Sequence, residues 1–111
     1  MNLPADAIIS VQKLRDYLLT VQPRGDKSRF LAQAGYTRAN PWQLERDLRE
    51  QILPLDAMLL PMRGYGDRYE IRGQVHGPNG VEISIRTIWM RESETGIVKF
   101  ITLIPLMKEQ V

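Results

Sequence analysis

The residues best suited to acid–base or anion chemistry lie between Arg68 and Arg86. Arg68, Glu70, Arg72, Gln74 and His76 alternate with Tyr69, Ile71 and Val75, and Glu82, Ser84 and Arg86 follow beyond Gly77-Pro78-Asn79-Gly80. Alternation with period two puts the polar set on one face of a strand and the apolar set on the other. A carboxylate, guanidinium groups and an imidazole on one face are the parts that general acid–base work on a bound anion needs: a base, an acid and cations to hold the negative charge. His76 could serve as base or acid, since an imidazole titrates near neutrality. Glu70 or Glu82 could replace it as base, and Arg72 and Arg86 could hold a phosphate bidentately. The catalytic candidates are His76, Arg86, Arg72 and Glu70.

The turn decides which of these meet. Pro78 suits the second position of a type I turn, and Gly80 suits the left-handed residue of a following bulge. With that bulge Gly77 faces Val81, Val75 faces Ile83, Ile71 faces Thr87 and Tyr69 faces Trp89. On the other face Arg72 meets Arg86, Gln74 meets Ser84 and His76 meets Glu82. A plain two-residue turn would slip the register by one and mix polar with apolar. Two arginines directly opposed need an anion between them, either Glu70 or a phosphate.

Helices must supply the cover for the apolar face. Val11, Leu14, Leu18 and Val21 predict a helix over 10–20, with Ser10 as its cap and Pro23 and Gly25 as its stop. Asp26 caps a short second helix with Phe30, Leu31 and Ala34 as its stripe and Gly35 at its end. Lys27 and Arg29 at its start form a candidate anion site. Asn40, Pro41 and Trp42 open a third helix that buries Leu44, Leu48 and Ile52, leaves Glu45, Arg46, Asp47, Arg49 and Glu50 in water, and ends at Pro54. Strands follow over 56–62, 67–76, 81–91 and 97–106. The last is apolar on both faces, which predicts a central or heavily covered position. Trp42 and Trp89 are expected in the core, and Gly64-Tyr65-Gly66 reads as a turn. The expectation is a single α+β domain over 1–111, with two to three N-terminal helices (10–53) packed on one face of a three- to four-stranded antiparallel meander sheet (55–107).

Composition narrows the chemistry. The 111 residues contain no cysteine, a single histidine and a net charge of +2. Disulfides, thiolate nucleophiles and cysteine-rich zinc sites are excluded, and neither metal nor cofactor is expected. No phosphate-binding glycine loop, dinucleotide fingerprint or nucleophile elbow occurs. No run approaches the length of a membrane span and the opening stretch lacks a basic signal region, so a cytoplasmic protein is expected.

Several segments carry a family resemblance: Lys13–Leu19 (KLRDYLL), Gly25–Phe30 (GDKSRF), Gly35-Tyr36, Trp42 with Leu44, Tyr65-Gly66, the Gly77–Gly80 turn and Thr87-Ile88-Trp89. Together they resemble a small bacterial family of uncharacterised domains. That family in turn looks like domains at the toxin end of phage-borne and polymorphic effectors, of the barnase/RelE-like ribonuclease-toxin superfamily. The resemblance implies N-terminal helices on a four-stranded antiparallel sheet, with a site on the open sheet face and on helix residues at its edge. Lys13, Tyr17, Lys27, Tyr65, Thr87 and Trp89 match its motifs. Lys13, Lys27 and Arg29 would then bind RNA phosphates and Tyr17 or Tyr65 would stack a base. A small cognate antitoxin is the implied protein partner. The residues also admit a non-catalytic interaction module on the same face, and a homodimer through an unpaired sheet edge.

Overall fold

In the computed structural model, which describes residues 1–61 and 66–106, Ser10 opens the first helix as expected. Its hydroxyl accepts the Lys13 N–H at 3.3 Å. Helix α1 (Val11–Lys13) then widens into a π-helical turn (Leu14–Leu18) closed by the Leu19 N–H on the Leu14 carbonyl at 2.9 Å. The wider turn rotates the buried face, so Leu14, Leu18 and Leu19 are covered while Val11 and Val21 are exposed. The regular stripe read for this segment therefore holds only at its centre.

Helix α2 (Ser28–Ala32) is tied down by Asp26, whose Oδ1 accepts the Ser28 N–H at 3.1 Å and its hydroxyl at 2.7 Å. Leu31 and Ala34 are buried, and Gly35 at φ +94° turns the chain out of the helix. Helix α3 (Pro41–Asp47) also runs into a π-helical turn (Leu48–Ile52), and Leu44, Leu48 and Ile52 are all buried.

Three expectations for α3 are corrected. Asn40 occupies the cap position, its carbonyl accepting the Gln43 N–H at 2.9 Å, but its side chain makes no capping bond; it bridges the preceding loop instead, accepting the Thr37 N–H at 2.7 Å and donating to the Gly35 carbonyl at 3.0 Å. Trp42 stays 58% exposed, on the solvent side of the helix start. Asp47 is buried, because the fully buried Tyr36 hydroxyl needs an acceptor and donates to it at 2.5 Å. Burial, with the Asp47 bond and charge added, pushes the Tyr36 hydroxyl pKa well up.

The sheet is a four-stranded antiparallel meander in the order β1 (Met58–Leu59), β2 (Gly66–His76), β3 (Glu82–Glu92), β4 (Val98–Pro105). The turn between β2 and β3 takes the bulged form: Gly80 donates to the Gly77 carbonyl at 2.9 Å, Gly77 donates to Val81 at 2.9 Å, and Gly80 sits at φ +85°. Each cross-strand pair expected from that turn is observed. The face bearing Tyr69, Ile71, Val75, Ile83, Ile85 and Trp89 shares one core with Leu14, Leu31, Leu44, Leu48 and Ile52. Trp89 meets Phe100 edge-on, with ring centroids 5.3 Å apart and planes at 76°.

The first and last strands differ from expectation. Strand β1 takes up only two of the described residues of the expected 56–62 strand, and position 62 lies outside the described residues. Strand β4 is an edge strand, not a central one. Part of its free edge is taken by the N-terminal segment: Ile8 donates to the Val98 carbonyl and accepts from Phe100, both at 2.8 Å. A bulge opposite Ile88 and Trp89 leaves Ile101 unpaired and exposed.

Candidate functional site

Residues at even positions of β2 and β3 share the face opposite the helix-covered core. Strand pairing sets Arg72 directly against Arg86, and Glu70 one pleat away resolves the clash. Its Oε1 accepts the Arg72 Nε–H at 2.9 Å and also the Arg86 Nε–H. Glu70 is only 6% exposed, covered in part by the groups it neutralises, whereas the Arg72 side chain is 63% exposed. Burial on its own would push the Glu70 carboxyl pKa up. The two hydrogen bonds and the two cationic charges together outweigh it, and the net displacement is downward, so the group is ionised at neutral pH. Among the described residues only the Nε of each arginine is engaged, and Glu70 Oε2 holds no partner. The forked Nη donors are thus available for an anion.

His76 shares this face but not this cluster. It lies four residues beyond Arg72, about 13 Å at ~3.3 Å per residue, and its Nε2 is 2.9 Å from Glu82 Oε2. Between them Gln74 and Ser84 form a long contact of 3.5 Å. The His76 backbone is held by Gln51, which accepts its N–H at 2.8 Å and donates to its carbonyl at 3.2 Å. One phosphate cannot touch both the arginine pair and the imidazole.

The helix candidates also separate. Lys13 and Tyr17, one turn apart, line a cleft of about 280 Å³ with Leu14, Leu18, Phe100, Ile101 and Thr102. Lys27 reaches the same place by donating from Nζ to Thr102 Oγ1 at 3.0 Å, and burial lowers its pKa. Arg29 stays outside, exposed on α2. The anion position expected at the start of α2 is already filled by the Asp26 carboxylate, whose bonds to Ser28 hold its pKa low. Tyr65 lies outside the described residues. Thr87 and Trp89 are structural: Trp89 Nε1 donates to Thr87 Oγ1 at 2.8 Å, and Thr87 donates to the Ile71 carbonyl at 2.8 Å, all buried.

Thr102 is the site residue that sequence reasoning did not place. Its strand is apolar on both sides, and the bulge that aims it leaves no signature in composition. Among the described residues no group of three or more His, Cys, Asp or Glu side chains gathers to hold a metal ion, and no helix is long and apolar enough to cross a membrane.

A protein-family profile described as a domain of unknown function (DUF6883) matches residues 2–107, so the chain belongs to that family. No curated protein and no solved structure matches it.

Proposed function

We propose that this DUF6883 domain acts on RNA through the Arg72–Glu70–Arg86 cluster, as a metal-independent endoribonuclease of toxin type that a small cognate protein holds in check. The observation that carries the reading is the pair of guanidinium groups laid over a buried, ionised carboxylate on a sheet face that the helices leave open. A phosphodiester engages the outward Nη donors. Because Arg72 is largely exposed, it can follow the phosphate and uncover Glu70. Glu70 Oε2 then takes the 2′-hydroxyl proton, the 2′-oxygen attacks phosphorus, and the bond to the 5′-oxygen breaks. That oxygen takes a proton from water, leaving a 2′,3′-cyclic phosphate and a 5′-hydroxyl end. His76, about 13 Å along the strand, contacts a neighbouring part of the RNA rather than the scissile group.

The chemistry agrees with the resemblance to barnase/RelE-like toxins noted above. One observation favours a rival of another class: Glu70 is nearly inaccessible, as a purely neutralising group would be. On that reading the face is a non-catalytic module that binds a protein partner.

Incubation with RNA in EDTA separates the two. The ribonuclease reading expects cyclic-phosphate ends, and a rate at least about 100-fold lower in Glu70→Gln, the usual worth of a general base. Arg72→Ala, at an exposed position, should reduce cleavage without unfolding the chain. Intact RNA after incubation with folded wild-type protein, together with tight capture of a small neighbouring gene product, would establish the interaction module instead.

A further inference from the structure

A strand of RNA held at the arginine pair leaves it in two directions, one along β2 toward His76 and one across the sheet, where neighbouring features offer a second contact. Glu70, Ile88 and Thr102 form one row across β2, β3 and β4. At ~4.8 Å between strands, Thr102 lies about 10 Å from Glu70, and Arg86 is the diagonal neighbour of Thr102 on β3. The row ends at the cleft between the first π-helical turn and β4.

Three independent features shape that cleft. The π-helical turn stacks Leu14 and Leu18 into its floor and leaves Lys13 and Tyr17 on its rim. The β4 bulge turns Ile101 outward and directs Thr102 to Lys27. Tyr17 is 66% exposed and contributes little burial to the core, so its ring is available as a platform. Lys13 and Lys27 have no carboxylate within salt-bridge distance among the described residues, unlike Arg72, Arg86 and Lys99. Uncompensated cations beside an exposed aromatic ring and an apolar floor match one ligand chemistry, an unstacked nucleobase with phosphates on either side.

We propose that this cleft is a nucleobase subsite and that the substrate class is single-stranded RNA: Tyr17 stacks the base adjoining the phosphate at Arg72 and Arg86, and Lys13 and Lys27 take the flanking phosphates. The proposal rests on the arginine face being the phosphate site. A duplex does not fit, because its bases are paired and stacked among themselves.

The test is fluorescence anisotropy with a labelled 2′-O-methyl oligouridylate, which cannot be cleaved through its 2′-oxygen. Tyr17→Ala should weaken binding about tenfold, the scale of one base–aromatic stack, while Tyr17→Phe should bind within about twofold of wild type. Lys13→Gln and Lys27→Gln should each lower the slope of log affinity against log salt by about one. A duplex of the same length should bind more weakly than the single strand. Unchanged affinity in Tyr17→Ala, with loss in Arg72→Ala, overturns the subsite and leaves the arginine site standing. A wild-type protein that binds no single strand overturns both.

Discussion

The two faces of the β2–β3 hairpin are built from alternate residues of the same backbone, yet they are held by different physics. On one face Ile71, Val75, Ile85 and Trp89 are buried in the common core. On the other, Glu70 gathers Arg72 and Arg86, and His76 pairs with Glu82 well along the strand. Burial stabilises the first face in proportion to the area removed from water. The second is organised by one carboxylate that offsets two cations, a device that leaves donors free. The contrast teaches that this fold does not depend on its charged face for most of its stability, so that face can be committed to a ligand.

Substitutions on each face should therefore separate by size. Trp89→Ala, which empties the largest fully buried side chain and leaves the Thr87 hydroxyl without its indole donor, should cost about 3–5 kcal/mol in chemical denaturation. A loss near that of a surface change would break the comparison. Glu70→Ala should come next at about 2 kcal/mol, since it leaves Arg72 and Arg86 facing each other without an anion. Added phosphate should restore part of that stability if the arginine pair is an anion site, and should restore none if Glu70 only neutralises.

Acid sharpens the same point. The folded chain holds the Glu70 carboxyl below its ordinary value near 4.5, so the unfolded chain binds the proton more tightly. Its stabilising contribution is complete above that ordinary value and is lost as pH falls through the lower folded one. Denaturation midpoints should fall on acidification below about pH 4.5, and Glu70→Gln should show a shallower fall. Equal slopes in the two proteins would remove Glu70 from the account. The smallest effect belongs to His76→Ala, which severs only an exposed pair and should change stability by under about 0.5 kcal/mol.

Much of this face was legible before any coordinates. The Gly77–Gly80 turn specifies a bulge, the bulge specifies the register, and the register puts arginine against arginine with Glu70 beside them. What escaped was set by tertiary context. Periodicity assumes a uniform helix, so it could not show the π-helical turns that bury Leu19 and expose Val11. Asp47 lies inside a charged run and is held in the interior by two side-chain donors, the Tyr36 hydroxyl and the Gln43 amide. Strand β4 reads as central or heavily covered by composition, yet it is an edge strand whose free edge Ile8 partly takes, and its bulge at Ile101 makes the cleft. Position along a strand also limited the reading: His76 shares a face with Arg86, but four residues of extended chain separate it from the arginine pair.

The central claim is that the donors over Glu70 bind a phosphodiester, and the arginine Nε–H resonances report on it directly. On titration with a 2′-O-methyl single strand, the Arg72 and Arg86 Nε–H signals should shift together as their bonds to Glu70 rearrange. Both signals fixed in place while the strand binds elsewhere on the protein would contradict the account.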